Sequence, residues 1–481
     1  MKDPVAFVVV DLGFGDAGKG SVTDALTARH GCLWTARFHG GAQAGHNVVL
    51  ATGEHHCFSQ LGAGSFVPGT RTYLSKDFVF HPQAFLREAQ AFASTSQTSL
   101  AGRVWADPGA MVITPPLQAL LHVREAQRGA NRHGSTGVGV GETVFFTRAH
   151  PAEAMRMSDL QSDDRLLSKL RRHTDWAVEQ AKSLGGSASD TDQIASTAAW
   201  IDFREASRWV RSRIALLDEA TWGKLVVKES ASVVFEGAQG VLLDDRVGFY
   251  PYVTPSDCRA TAALALKERA QLAWPAQVIG VLRAFPTRHG PGPFPTEETS
   301  LSALLPEPHN ERGPHQGGVR HGYFDPVLGA YAVAHGGPID GIVITHLDQL
   351  ALVPAVRVGA GYVEPGGGVI KKLPPAPEGL AERSEWTRWV QGLRPIWAQE
   401  DASEPLAWAA AQADRLERPL WGGSLGPRRE DVALWTRHRR GFVGSLRQPC
   451  EVGRAAGSMP RSCPATELMP KLGDERRRST R

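Results

Sequence analysis

The sequence predicts an α/β fold in which helices surround a mainly parallel central sheet, and three observations carry this prediction. Short apolar runs rich in β-branched residues recur along the chain as AFVVVDL, SVVFEG, QVIGVLRAF and DGIVITHLD. Helix-like segments such as HPQAFLREAQAFA and TPPLQALLHVREAQ lie between them, and this alternation is typical of a parallel sheet. The third observation is a glycine-rich turn between the first run and the first helical segment.

The first element is an apolar strand that leads into the turn GFGDAGKGS, residues 13–21, and then into a helical segment. In this order the backbone N–H groups of a P-loop-like turn and the helix N-terminus can hold phosphate, with Lys19 reaching the terminal phosphoryl group. Two residues differ from an ordinary P-loop. Gly20 stands where Ser or Thr would bind magnesium, and Asp16 adds a negative charge inside an anion-binding turn.

Further glycine-rich or polar segments follow the later elements. His46 lies in RFHGGAQAGHNVV, where flexible backbone can approach a ligand closely, and Thr136 offers a hydroxyl in GSTGVGVGE. FEGAQGVLLDDRVGFYPYVT joins a strand end to Gln239 and Thr254, and THLD closes a buried strand with Asp348. Taken alone, RHGPGPFPTE favours a stiff scaffolding turn, and GGSLGPRR is a late nest of backbone donors.

Composition narrows the class of protein. The 481 residues are 42% hydrophobic and 21% charged, as in an ordinary globular protein, and they can bury a large core. The 53 basic and 50 acidic residues give a net charge of only +3, so neither nucleic acid nor a membrane is expected as the main partner. Because the sequence shows no signal peptide or apolar run of membrane length, we expect a cytoplasmic protein with reduced cysteines.

The domain organisation is predicted from changes in residue composition along the chain. Residues 1–435 are predicted to form one domain, in which the charged stretch 160–228 is a helical insertion. Residues 436–481 end in DERRRSTR and are predicted to be a basic, disordered tail. A nucleic-acid or partner-binding arm is the alternative interpretation of this tail.

Seven of these segments, taken together, resemble a known family. GDAGKG, GGAQAGH, STGVGVG, FEGAQGVLLD with YPYVT, TRHGPGPFPTE, THLD and SLGPRR are similar, in sequence and order, to the signature segments of adenylosuccinate synthetase. The resemblance runs from Val5 to Arg429 and implies the fold of that family. It also implies a GDP-forming C–N ligase of AMP biosynthesis, which joins L-aspartate to IMP through a 6-phosphoryl-IMP intermediate and releases adenylosuccinate, GDP and phosphate.

The resemblance implies chemical roles for four residues. Asp16 would remove the proton from the purine ring nitrogen, which makes the neighbouring oxygen nucleophilic toward the γ-phosphoryl group of GTP. His46 would donate a hydrogen bond or proton where charge develops on the transferred group, and Lys19 would neutralise the phosphates. One Mg²⁺ per subunit would be held by Asp16 and the backbone carbonyl of Gly45.

Other positions match the family's substrate contacts. Asp348 matches the carboxylate that accepts from the guanine N–H donors of GTP. The implied GTP-binding residues are Gly15, Asp16, Ala17, Gly18, Lys19, Gly20, Gly45, His46, Asn47, Arg320, His346, Asp348, Ser424, Leu425 and Gly426. The implied IMP-binding residues are Gln43, Ala44, Thr136, Gln239 and Thr254.

The segment that matches the family's aspartate-binding loop departs from the pattern. In GPHQGGVRHGYFD, residues 313–325, Arg320 keeps one family arginine, but His315 and Gln316 stand at the threonines and Gly318 at another arginine. Glycine cannot replace a guanidinium that clamps a carboxylate. A divergent paralogue that ligates a different amine or 6-oxopurine nucleotide by the same phosphoryl activation is therefore the alternative.

Two further expectations concern class and assembly. A non-catalytic nucleotide sensor built on the same fold is the alternative of another class, although a sensor has no need of the base Asp16. The resemblance implies a homodimer with shared sites and small-molecule substrates. The arginine that a partner subunit of the family contributes has no firm counterpart, Arg148 being the nearest.

Overall fold

The computed structural model of the protein describes residues 3–305, 307 and 317–435. The strands of this part of the chain are β1 (Ala6–Asp11), β2 (Trp34–Arg37), β3 (His46–Val49), β4 (His55–Phe58), β5 (Arg71–Leu74), β6 (Val79–Phe80), β7 (Val104–Ala106), β8 (Met111–Val112), β9 (Ala215–Leu216), β10 (Val233–Gly240), β11 (Ala276–Arg283), β12 (Thr287–His289), β13 (Val319–His321), β14 (Gly341–Thr345), β15 (Arg357–Val363), β16 (Val369–Ile370), β17 (Arg394–Gln399), β18 (Leu420–Ser424) and β19 (Val432–Leu434).

The helices are α1 (Lys19–His30), α2 (Pro82–Ser96), α3 (Pro115–Arg128), α4 (Val140–Ala149), α5 (Asp163–Ser183), α6 (Ala188–Ile194), α7 (Thr197–Arg211), α8 (Glu219–Lys228), α9 (Ala260–Arg269), α10 (Leu301–Leu304), α11 (Pro326–His335), α12 (Leu380–Gln391) and α13 (Pro405–Arg415). None of these helices is both long enough and apolar enough to cross a bilayer. The proposed tail, residues 436–481, lies outside the described residues.

A ten-stranded sheet forms the centre of the described chain, in the order β19-β18-β14-β11-β1-β10-β2-β5-β7-β9. Every neighbouring pair is parallel except β18 and β19 at one edge. The α/β prediction with a mainly parallel sheet is confirmed. The four apolar runs singled out in the sequence are β1, β10, β11 and β14, which lie next to one another in the middle of the sheet.

Side chains on both faces of the central strands are buried, as expected where helices cover a parallel sheet. All six residues of β1 are buried, and β14 is buried throughout. On one face, Trp222 of α8 stacks on Tyr73 of β5 with 4.2 Å between the ring centroids. On the other face, Val22 and Leu26 of α1 join the apolar cluster around Val9. The stretch 160–228 contains α5, α6, α7 and α8, and β9 adds it to the end of the sheet.

The topology places the predicted ligand segments at one edge of the sheet. Because the central strands are parallel, their carboxyl ends lie on the same side, and ligands of open α/β sheets bind there. The glycine-rich turn follows β1, Gln239 lies near the end of β10, and Arg283 ends β11. His346 directly follows β14 and Ser424 ends β18.

Candidate active site

The glycine-rich turn after β1 is organised by Asp11, which the sequence reasoning did not single out. The Asp11 carboxylate is fully buried and accepts hydrogen bonds from the N–H groups of Gly13 (2.7 Å) and Ala17 (2.9 Å). It also accepts from the Nζ of Lys19 at 2.9 Å, and the same ammonium donates to the carbonyl of Gly15. Lys19 is therefore folded back against its own loop.

The phosphate-binding end of α1 is formed by the residues after this turn. Gly18 is the N-cap and has a left-handed conformation with φ 82°, which glycine adopts without a Cβ clash. The first N–H groups of a helix have no carbonyl partner within the helix and favour an anion. In α1 these groups belong to Lys19, Gly20 and Ser21, because Val22 is the first residue that donates back to Gly18.

Asp16 projects from the turn toward β12. Its Oδ2 lies 3.1 Å from the Nε2 of His289. Burial alone would raise the pKa of the Asp16 carboxyl, but the hydrogen bond and positive charge of His289, with the charges of Lys19 and Arg283, hold it below its ordinary value. Asp16 is therefore ionised at neutral pH. His289 belongs to RHGPGPFPTE, so the interpretation of that segment as scaffolding alone missed a contact to the candidate base.

His46 forms a second buried pair, with Glu236 of β10. The Nδ1 of His46 lies 2.5 Å from the Oε1 of Glu236, and Glu236 also accepts from the N–H of Ala63 at 3.0 Å. Burial lowers the pKa of His46, and the positive charges of Arg37 and Lys19 lower it further. The charge and hydrogen bond of Glu236 raise it but do not offset the burial. The Nε2 of His46 is buried and has no hydrogen-bond partner within the described part of the protein. This nitrogen is therefore available to a ligand.

Close packing between α1 and His46 explains why Gly20 replaces the hydroxyl residue of an ordinary P-loop. A Cβ built on Gly20 would lie 2.7 Å from the Cβ of His46 and 3.0 Å from its Cα. Real Cβ atoms do not approach so closely. Any side chain at position 20 would therefore displace the histidine.

The predicted IMP-binding residues lie on three loops around this centre. Both amide atoms of Gln43 are buried without a hydrogen-bond partner among the described residues, and Ala44 beside it is buried. A Cβ on Gly15 would lie 3.8 Å from the Oε1 of Gln239, so Gln239 adjoins the glycine-rich turn. The backbone N–H of Thr254 donates to the carbonyl of Leu243 at 2.8 Å.

The loop that carries Thr136 packs against the segment that carries His289. A Cβ on Gly134 would lie 2.8 Å from Pro291, and one on Gly292 would lie 2.8 Å from Tyr252. These contacts place the loops of Thr136 and Thr254 against residues 290–292, which directly follow His289.

The two segments assigned to the guanine base meet at the ends of β14 and β18. The N–H of His346 donates to the Oγ of Ser424 at 3.0 Å, and Thr345 donates to the carbonyl of Ala17 at 2.8 Å. Burial, with the nearby charge of Arg283, lowers the pKa of His346 to about 3, so this imidazole is neutral. Asp348 is exposed beside it.

The remaining predicted residues lie in the segment after β18 and on either side of His46. Leu425 is exposed and donates its N–H to the carbonyl of Asp431, against which Gly426 packs. Gly45 is exposed directly before β3, where the Oδ1 of Asn47 accepts a hydrogen bond from the Nε2 of His55 at 2.9 Å.

Arg320 is occupied by protein groups. Its guanidinium pairs with both oxygens of Glu297 and donates to the carbonyls of Gly290 and Gly292, each at 3.0 Å. Gly318 is exposed, and no atom of the described residues lies within 4 Å of a Cβ built on it. The predicted residues His315 and Gln316 lie outside the described residues.

Comparisons with known proteins give the same family across most of the chain. The family model described as adenylosuccinate synthetase matches residues 8–413. The adenylosuccinate synthetase of Anaeromyxobacter sp. (strain Fw109-5) is 31% identical over 441 residues, which cover 89% of this chain and 97% of that protein. That of Neisseria gonorrhoeae (strain ATCC 700825 / FA 1090) is 30% identical over 436 residues, which cover 89% of this chain and 98% of that protein.

Solved structures share the fold. The fully ligated adenylosuccinate synthetase of Plasmodium falciparum superposes with a TM-score of 0.73 at 21% identity, over 90% of this chain and all of that one. The succinoaminodeoxyadenylate synthetase of cyanophage S-2L, bound to dGMP and dATP, superposes with a TM-score of 0.53 at 17% identity. The superposition covers 90% of this chain and 96% of that one. With the family model, the curated relatives and the site geometry in agreement, this chain belongs to the adenylosuccinate synthetase family of GDP-forming C–N ligases.

Proposed function

We propose that the protein ligates L-aspartate to IMP at the expense of GTP, as an adenylosuccinate synthetase of AMP biosynthesis. The observation that carries the proposal is the ionised carboxylate of Asp16 inside a phosphate-binding turn, beside the buried His46–Glu236 pair. An ordinary nucleotide-binding loop has no use for such a charge. A base is required where a poorly nucleophilic amide-like oxygen must be phosphorylated.

Asp16 acts as the general base on the purine ring. The oxygen at position 6 is a poor leaving group, so it is phosphorylated before an amine displaces it. Asp16 takes the proton from the adjacent ring nitrogen, and the oxygen then attacks the γ-phosphoryl group of GTP. His289 holds the carboxylate in place through its Oδ2 contact and helps to keep it ionised.

His46 stabilises the charge that develops on the transferred phosphoryl group. The anionic Glu236 favours the imidazolium form of His46, and an anionic phosphate near Nε2 acts in the same direction. In that form Nε2–H donates to the phosphoryl oxygen while Nδ1–H remains bonded to Glu236. Lys19 turns from Asp11 toward the phosphates when GTP is present, and the N-terminus of α1 supplies backbone donors.

The residues present suit the Mg²⁺ that the family uses. Carboxylate and carbonyl oxygens are the ligands Mg²⁺ prefers. His289 contacts Oδ2 of Asp16, and the Asp16 carboxylate and the backbone carbonyl of Gly45 would be the protein ligands of the metal. When bound, the ion neutralises phosphate charge and polarises the transferred group.

The substrates are assigned to two sides of this centre. Asp348 recognises the guanine base of GTP, because its exposed carboxylate accepts from the guanine N–H donors. The neighbouring residues of this base site are His346, Ser424, Leu425 and Gly426. Gln43, Thr136, Gln239 and Thr254 bind the phosphate and ribose of IMP. The unpartnered buried amide of Gln43 supports this assignment, because buried polar groups are rarely left without partners.

A second candidate function is ligation of a different amine by the same activation. It is favoured by the engagement of Arg320 with Glu297 and by Gly318, which offers no side chain to a carboxylate. Both candidates share the phosphoryl-transfer step and differ only in the amine.

We also propose a cytoplasmic homodimer. Purine nucleotides and GTP as substrates support the location. Arg148, the nearest counterpart of the family's partner arginine, forms an exposed ion pair with Asp245 at 3.1 Å in this protomer. Exposed pairs contribute little to stability, so Arg148 can exchange this partner for a nucleotide phosphate in a neighbouring subunit.

Product analysis tests the proposed function. The purified protein is incubated with Mg²⁺, GTP and IMP, with L-aspartate present or omitted, and the products are identified by mass spectrometry alongside phosphate release. Adenylosuccinate with one phosphate per product, formed only with aspartate, is the expected result. Phosphate release without adenylosuccinate, followed by a new product with another amine, would support the second candidate. No phosphate release with any mixture would favour a sensor.

A further inference from the structure

A cationic group that none of the roles above uses lies at the same edge of the sheet. Arg283 ends β11, between the turn after β1 and the His346 segment after β14. Its guanidinium is almost completely buried, and one amino group contacts the carboxylate of Glu307 while also lying 3.3 Å from the Oε1 of Gln349. A buried guanidinium without a counter-charge is strongly unfavourable, so this position requires an anion.

His321 of β13 faces the same carboxylate. Its Nε2 lies 3.8 Å from the Oε1 of Glu307, within ion-pair range but too long for a hydrogen bond. The Nδ1 of His321 lies 3.1 Å from the Oγ of Ser302 on α10, and this contact fixes the ring orientation. Arg283 and His321 therefore face one carboxylate position, which Glu307 occupies.

This carboxylate position adjoins the reaction centre. Arg283 is paired in register with Thr345 of β14, whose hydroxyl donates to the carbonyl of Ala17, the residue after Asp16. His321 is next in sequence to Arg320, in the segment that replaces the family's aspartate-binding loop. A carboxylate held at Arg283 would therefore lie next to the turn that carries Asp16.

We propose that Arg283 and His321 bind a carboxylate of the amine substrate and that Glu307 is an internal competitor for this site. The inference rests on the proposed function, because it names the anchor for its amine substrate. Exchange of one carboxylate for another keeps Arg283 paired throughout. An internal carboxylate is present at high effective concentration, so the substrate must displace it and its apparent affinity is weakened.

The test compares Glu307→Gln with the wild-type protein. We expect the KM for L-aspartate to fall by about three- to thirty-fold in the variant, since a charged competitor becomes neutral. Arg283→Gln should raise this KM by at least about ten-fold while the KM for GTP changes little. Glu298→Gln is the matched control: it removes a glutamate from the ion pair with Arg357 at 2.9 Å, and the aspartate KM should not change.

A binding measurement keeps the inference separate from the proposed function. Calorimetric titration of succinate, a dicarboxylate without an amine, into protein with Mg²⁺, GDP and IMP should show tighter binding to Glu307→Gln than to the wild type. That result supports the inference even if the wild type forms no adenylosuccinate. Equal or weaker succinate affinity in Glu307→Gln, or an aspartate KM that does not fall, overturns it, since Glu307 would then be a structural partner of Arg283.

Discussion

Asp16 is the residue on which the proposed chemistry depends most directly. Asp16→Asn keeps the shape of the side chain and can still contact His289, but the amide cannot accept the ring proton. We expect kcat to fall by about two to four orders of magnitude, as is usual when a general base is lost. Steady-state phosphate release measures the effect, with GTP affinity measured in parallel as the control for an intact site. A kcat within a few-fold of the wild type would remove Asp16 from the role of base.

Gly20 provides a test of the packing that positions His46. Gly20→Ala places a Cβ 2.7 Å from that of His46, so the histidine must move. Because displacement of a catalytic group by about 1 Å can cost about a hundred-fold in rate, we expect kcat to fall by that order. Gly366→Ala is the control, since a Cβ there meets no atom within 4 Å. Equal activity of both variants would show that α1 can yield without moving His46.

At the residue scale, the sequence indicated which residue types carry the chemistry but not their partners. Asp16 and His46 stand out because a carboxylate and an imidazole are unusual in glycine-rich turns. Their partners do not: His289 is 273 positions from Asp16 in sequence, and Glu236 is 190 positions from His46. Asp11 lies close in sequence, but it reads only as a polar end to an apolar strand. Such contacts depend on strand order, which the local pattern does not contain.

At the element scale, α11 is stabilised at its N-terminus by a buried carboxylate. The Oδ1 of Asp325 accepts from the N–H groups of Val327 and Leu328, both at 3.1 Å, and its Oδ2 accepts from the hydroxyl of Tyr362 at 2.7 Å. Burial nevertheless dominates and raises the pKa of Asp325 to about 6. The ionised form is therefore disfavoured in the folded protein relative to the unfolded chain.

This raised pKa predicts a pH dependence of stability. The folded pKa lies above the unfolded value of about 3.9, so the contribution of Asp325 is fully present below about pH 4 and is lost as the pH rises through 6. Asp325→Asn keeps an oxygen for the helix N–H groups and cannot ionise. Its free energy of unfolding, relative to the wild type, should rise by about 2–3 kcal/mol between pH 4 and pH 8.

Urea denaturation at intervals from pH 4 to pH 8 measures this difference. Asp202→Asn, an exposed position on α7, is the control and should show no comparable trend. A difference between Asp325→Asn and the wild type that stays constant with pH would contradict the raised pKa.

Elements were predictable where their own residues determine the structure. The runs that became β1, β10, β11 and β14 are buried on both faces, so they appear in the sequence as continuous apolar segments. The two-residue strands β9 and β16 carry no such pattern, because their pairing depends on a neighbour placed by the rest of the fold. The segment RHGPGPFPTE likewise predicts only a turn from its own residues. It holds the end of β12, and the contact of His289 with Asp16 depends on how the rest of the fold places the two segments.

At the scale of the whole molecule, the sheet order assembles the site from distant parts of the chain. The order β14-β11-β1-β10 brings together strands that start at residues 341, 276, 6 and 233. Their carboxyl ends carry the guanine segment, Arg283, the phosphate-binding turn and the IMP segment, in that order across the edge. The proposed GTP and IMP sites therefore meet over β1, where Asp16 is located, and Arg283 lies between the proposed guanine segment and the turn.

The proposed homodimer belongs to the same scale, and α4 is the element on which we expect a partner to pack. Phe145 is 55% exposed on this helix, one turn before Arg148, while its neighbours Val144 and Phe146 are buried. The helix begins directly after the loop of Thr136, so a partner on this face would lie next to the proposed IMP-binding loop. An exposed aromatic beside an exposed arginine is the residue pair that protein interfaces favour.

Substitution of Phe145 tests this arrangement. Phe145→Ser should shift the protein from dimer to monomer by raising the dimer dissociation constant at least about thirty-fold, because a central aromatic contact contributes about 2 kcal/mol or more. Sedimentation at several concentrations measures the shift, and activity should fall along with dimer content if subunits share sites. Ile201→Ser, at a 44% exposed position on α7, is the control and should leave the dimer intact. A monomeric wild type with full activity would instead mean that each chain completes its own site and that Arg148 keeps Asp245 as its partner.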